Sequence, residues 1–139
     1  MSDTSVTISW NTPNNQGSPI TNYTIYILES DGATYSLELN YCDGGRPAIL
    51  LAAKCTTTVQ TLRSLPFSLP WGSSIYAKVV ATNKYGDSLT SVPGNGAILM
   101  TYPDAPTTLT EVVASRSATS ITFTWVDGAN NNGAIVTDY

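Results

Sequence analysis

Polar and apolar residues alternate along most of this chain. From Thr4 to Trp10, Val6, Ile8 and Trp10 fall at one parity and Ser5, Thr7 and Ser9 at the other, the period of two that sets one face of a β-strand against a core. A turn-rich stretch, Thr12 to Pro19, leads into a second run, Ile20 to Leu28, with Tyr23, Ile25 and Ile27 in phase. Ala33 to Leu39 reads as a third strand behind the Asp31-Gly32 turn, where glycine tolerates positive φ. Thr57 to Leu62 is predicted as a fourth strand. Ser73 to Asn83 is a fifth, with Ile75, Ala77, Val79 and Ala81 in register, and Ser88 to Thr101 a sixth, interrupted at Pro93-Gly94. Short strands with turn residues at this spacing predict an all-β, antiparallel immunoglobulin-like sandwich.

A repeat extends the pattern. Ser120-Ile121-Thr122-Phe123-Thr124-Trp125 has the form of Ser5-Val6-Thr7-Ile8-Ser9-Trp10, and residues 132–139 echo residues 16–23, ending on Tyr139 as the earlier segment ends on Tyr23. The two tryptophans are 115 positions apart and the two tyrosines 116, so the intervening loop absorbs one residue. The chain therefore holds one repeat and the beginning of another.

These residues resemble the fibronectin type III domain. Pro103-Asp104-Ala105-Pro106 before Leu109 to Ala114 looks like the proline-flanked entry and first strand. Trp10 and Trp125 resemble the tryptophan that ends the second strand, and Tyr23 and Tyr139 the inward tyrosine of the third. Val79, Ala81, Asn83, Gly86 and Ser88 fit the family's late strand and the turn after it. Two positions depart from the pattern: Ile75 stands where a corner tyrosine is usual, and Trp71 where a proline precedes the glycine at Gly72. Apolar packing, with Trp71 a candidate, is then expected to hold that corner. The resemblance implies residues 1–102 as a sandwich lacking its first strand and residues 103–139 as the first strands of the next repeat, or as a donor segment for a neighbouring chain. Trp10, Tyr23, Val79, Ala81 and Trp125 are the expected core positions. Residues 103–139 alone cannot bury Phe123 and Trp125, so an array of linked repeats and a fibre of inserted segments are both open readings, and either one is linear.

Composition narrows the chemistry. Histidine is absent, which removes Ser-His-Asp and Cys-His nucleophiles, His-ligated zinc and imidazole acid-base catalysis. Ten carboxylates are scattered without a convergent pair, so no enzyme and no cofactor is expected. Six Lys and Arg against ten Asp and Glu leave a net charge of −4 with no basic run; phosphate binding needs clustered cations, so no nucleic-acid partner is expected. The longest apolar run, Ala48 to Ala53, falls far short of the roughly 20 residues that span a bilayer, and the opening residues lack the basic-then-apolar pattern of a leader, so neither membrane insertion nor an address is read.

Cys42 and Cys55 enclose 12 residues of different character from their flanks. A disulfide there would staple an exposed excursion and stabilise by about 3 kcal/mol through loop closure; unlinked thiols are the alternative, and two thiolates alone cannot complete a zinc shell. The pairing points to an oxidising, extracellular or cell-surface setting. Asn22-Tyr23-Thr24 satisfies the N-glycosylation rule, and with Tyr23 inward Asn22 is expected to face solvent. The Asn-rich loops at 14–17 and 127–133 lack the carboxylates a calcium site needs. Tyr41, Arg46 and Tyr85 are the only aromatic or charged candidates for recognition through loops. Two functions result: a structural or adhesive module whose partners are neighbouring copies or repeats, and a module binding glycan or protein.

Overall fold

The computed structural model describes residues 5–139. The chain divides into two compact units, Met1–Leu99 and Met100–Tyr139.

The first unit is a two-sheet antiparallel sandwich. One sheet pairs β1 (Ser5–Ser9) with β4 (Lys54–Thr58), Ser5 opposite Thr58 and Ser9 opposite Lys54. The other is built on β2 (Ile20–Leu28) and β5 (Ser74–Asn83), with β3 (Tyr35–Leu37) on the outer edge of β2 and both β6 (Gly86–Asp87) and β7 (Gly94–Ile98) pairing β5. The inward parity of β2 supplies Tyr23, Ile25 and Ile27. They meet Cys55 of β4, Ile75 of β5, and Leu62, Phe67, Leu69 and Leu99 from the connections, while Val6, Ile8 and Trp10 close the opposite side. This is the all-β immunoglobulin-like fold that the alternation predicts, with the strand order of a fibronectin type III-like sandwich.

Several boundaries differ from the sequence reading, each because a side chain finds a better partner. The predicted strand at Thr57–Leu62 ends at Thr58, whose hydroxyl accepts from the Thr61 amide at 3.0 Å and caps helix α2 (Val59–Arg63); helical spacing then puts Leu62 wholly inside. The third strand is shorter than Ala33–Leu39 because Glu38 turns inward. Ser88 to Val92 runs alongside β5 without a regular ladder: the Ser88 and Ser91 hydroxyls accept from the amides of Ala81 and Val79, both at 3.0 Å. The unusual corner is held as the missing tyrosine requires, with Ile75 buried, Trp71 packed against the core and the Arg63 guanidinium 4.0 Å from the Trp71 ring centre.

The second unit is a ribbon of β8 (Thr107–Glu111) and β9 (Phe123–Val126), joined through a short 3-10 turn, Val113–Ser115. Thr110 lies opposite Thr124 and Glu111 opposite Phe123, so these strands are shorter than Leu109–Ala114 and Ser120–Trp125. Asp104 anchors the entry: its carboxylate accepts from Asn130 at 3.0 Å and Asn132 at 3.1 Å, which holds its pKa below the ordinary 3.8. Gly128 lies so close to the Asp104 carbonyl that a Cβ would come within 2.2 Å of it. Trp125, expected in a core, is 43% exposed, and Phe123 is similarly open, because no second sheet faces β9 within this unit.

Candidate functional site

Four local features carry the chemistry that the sequence offers.

The segment between the cysteines is exposed over most of its length, as expected, but it is anchored inside at its two cysteines and at Gly44, Ile49 and Ala53. Cys42 and Cys55 form a disulfide with their Cα atoms 5.1 Å apart, and both are core residues at 1% and 3% exposure. The cause is the apolar stretch between them: Pro47 starts helix α1 (Pro47–Ala52), Ile49 packs inside, and Ala53 closes the helix in the left-handed conformation before β4 begins. Glu38 aims the chain into this turn. Only 2% exposed, its carboxylate accepts from the amides of Asn40 (2.9 Å), Tyr41 (3.0 Å) and Cys42 (2.9 Å). A carboxyl group held out of water needs such donors. Sequence reasoning passed over Glu38, since one acidic residue at a strand end carries no local signal of burial. Gly44 lies against the backbone of Tyr23, where a Cβ would come within 1.9 Å of the carbonyl oxygen.

The recognition candidates are dispersed. Tyr41 and Arg46 sit exposed on the disulfide-bearing segment, Arg46 within 3.6 Å of Asp43 in a solvent-facing pair. Tyr85, 79% exposed, stands at the β5–β6 turn beside a groove of about 230 Å³ lined in part by Asn14, Asn15, Gln16 and Asp87, and neither Tyr41 nor Arg46 lines it. An aromatic face bordered by amides and one carboxylate suits a polar, neutral ligand. Asn22 is half-buried, its amide 3.4 Å from the Thr24 hydroxyl, with Gly45 of the disulfide segment close to its side-chain oxygen.

The Trp–Tyr pair recurs. Trp10 meets Tyr23 edge to face with centroids 5.1 Å apart, and Trp125 meets Tyr139 at 5.5 Å in a tilted arrangement. Trp10, Val79 and Ala81 are half-buried against the first core and Tyr23 is fully inside. The Trp10 indole N–H is buried without an acceptor, as is the Thr57 hydroxyl without a partner.

The fourth feature is an edge. Among the described residues β1 pairs with β4 alone. Beside it lies a groove of about 620 Å³ whose walls include Val6, Ile8 and Trp10 on one side and Ala77, Val92 and Ala97 on the other.

Among the described residues there is no group of three or more His, Cys, Asp or Glu side chains placed to hold a metal, and no helix is long and apolar enough to cross a membrane. No family model matches the chain, and no curated protein matches it. Twenty-three chains of solved structures do. One is the crystal structure of the FN1-FN3 domains of chicken CNTN1, 18% identical, with a TM-score of 0.48 over 94% of this chain and 39% of that one. The chain thus spans about two fifths of that structure's length. The strand order of the first unit by itself defines the class: an antiparallel, fibronectin type III-like sandwich, here with a buried disulfide.

Proposed function

We propose that this chain is a non-enzymatic, extracellular structural or adhesive module, a repeat unit of a linear array. The observation that carries the reading is the recurrence of the strand–tryptophan–tyrosine arrangement in the second unit, where Phe123, Trp125 and Leu109 stay uncovered. Such a two-stranded ribbon is marginal in water until further strands or a helix cover its apolar face. The Cys42–Cys55 disulfide supports an oxidising compartment, since cytosolic thiols are kept reduced. Negative charge without a basic cluster speaks against nucleic acid as a partner. Negative-stain imaging with sedimentation of the 139-residue protein tests the reading: filaments, beaded strings or mass that grows with concentration are expected, and monodisperse monomers that bind glycans on an array overturn it.

The second reading is a glycan- or protein-binding module. The groove beside Tyr85, with its amide-lined wall, is what favours it, and loss of array binding on Tyr85→Ala is its test.

A further inference from the structure

The turn at Asn14–Gln16 and the β5–β6 turn both line the groove of about 230 Å³ beside Tyr85. Hydrogen bonds fix which atoms those turns keep for a ligand. The side-chain oxygen of Asn14 accepts from the Gln16 amide at 2.9 Å, that of Asn15 from the Gly17 amide at 3.0 Å, and that of Asn83 from the Tyr85 amide at 2.9 Å. With each oxygen turned to a backbone N–H, the NH2 group of each carboxamide points away from its own turn and presents donors. One Asp87 oxygen accepts from the Thr82 hydroxyl at 2.6 Å, which leaves the other as an acceptor. The Asn15 carbonyl accepts from the amide of Ser18, a buried residue, at 2.9 Å, so the donors are set in place before any ligand arrives. The Lys84 ammonium lies 4.7 Å from the Tyr85 ring centre and is not among the groove's walls; it backs one face of the ring and leaves the other open.

Resting on the glycan- or protein-binding reading of this chain, we propose that the groove takes the uncharged terminal sugar of a glycan, packed on the open face of Tyr85 with its hydroxyls held by Asn14, Asn15, Asn83 and Asp87. A sugar is the complement of this set. Each hydroxyl accepts and donates at the same atom, so one ring satisfies carboxamide donors and a carboxylate acceptor together, and its C–H face covers an aromatic ring. Charge selects among sugars. Asp87 lines the groove and no cation does, so a sialic acid or sulfate group placed there meets a like charge without a counter-ion. A cationic ligand is disfavoured in turn, because three carboxamides offer it N–H donors against one carboxylate. Size sets the reach: the groove is smaller than the roughly 300–1,000 Å³ of pockets that enclose a drug-sized ligand, which suits the end of a sugar chain and weak, millimolar binding.

The test uses the whole chain with its disulfide closed on an array of neutral-ended glycans, each printed both bare and with its terminal sugar carrying sialic acid or sulfate. The best bare glycan is then titrated into isotope-labelled protein. Bare forms are expected to bind in preference to their charged counterparts, and the side-chain amide resonances of Asn14, Asn15 and Asn83 to shift together while those of Asn131 and Asn132 stay in place. Tyr85→Ala, at a position 79% exposed, should weaken binding by about tenfold, and Tyr41→Ala, which removes an exposed tyrosine outside the groove, should not. Asp87→Asn should weaken the bare glycans and narrow the gap to the charged ones; circular dichroism confirms that each variant folds. Equal or better binding of the charged forms overturns the proposal, as does a titration that leaves the three asparagines unmoved or a groove that takes a peptide and no sugar. A preference for charged ends, or for a peptide, that is still lost in Tyr85→Ala sinks the uncharged-sugar ligand and leaves the binding-module reading standing; binding indifferent to Tyr85→Ala, or no binding at all, sinks both.

Discussion

Replacing Glu38 with alanine removes a carboxylate that the fold holds almost entirely out of water on three backbone amides. Each hydrogen bond to a charged group contributes about 1.5–3 kcal/mol net, yet their sum overstates the loss, because alanine also relieves the desolvation of the anion. The amides differ in their alternatives. Asn40 and Tyr41 are exposed residues whose N–H groups regain water, whereas Cys42 is buried and its N–H is left without a partner. A cost of about 3 kcal/mol for Glu38→Ala follows, a fall in Tm on the order of 15 °C for a unit of this size. Glu38→Gln keeps the shape and one acceptor oxygen but turns an NH2 group toward an amide donor, so it should lose about 2 kcal/mol. Urea denaturation of the oxidised protein, with thiol titration to verify the closed disulfide, measures both. A Glu38→Ala variant within about 0.5 kcal/mol of the parent, the range of ordinary surface changes, would refute the reasoning, and so would a Glu38→Gln variant as stable as the parent.

Further outcomes follow from single observations. Cys42→Ala with Cys55→Ala opens a loop whose ends are 13 positions apart and should lower unfolding stability by about 3 kcal/mol, read from denaturant midpoints. Thr57→Val exchanges a buried, unpartnered hydroxyl for a methyl of similar volume and should raise stability by about 1 kcal/mol; a loss in the same assay would show that the hydroxyl has a partner. Asp104 has its folded pKa held below 3.8 by the amides of Asn130 and Asn132, so its ordering of the second unit is present above that ordinary value and is lost as pH falls through the lower, folded one. The side-chain amide resonances of Asn130 and Asn132 in an NMR titration should move together, with a midpoint below 3.8.

What the sequence determined by itself was everything with a short period. Alternation in Thr4–Trp10, Ile20–Leu28 and Ser73–Asn83 marks β1, β2 and β5, because a strand's two faces are written in neighbouring residues. The Trp10/Trp125 and Tyr23/Tyr139 spacings mark a repeat, since the same strands recur in the same order. Tertiary structure decided the rest. Thr58 caps α2 instead of continuing a strand, because the core has room for Leu62 on that side. The disulfide is interior because Ile49 carries α1 against the sandwich, and Glu38 is interior because the turn after β3 gathers three amides around it. Trp10 and Trp125 stand at equivalent places in the repeat, yet one packs against a core and the other lies open. Burial depends on what the rest of the chain places opposite a residue, and that information is non-local.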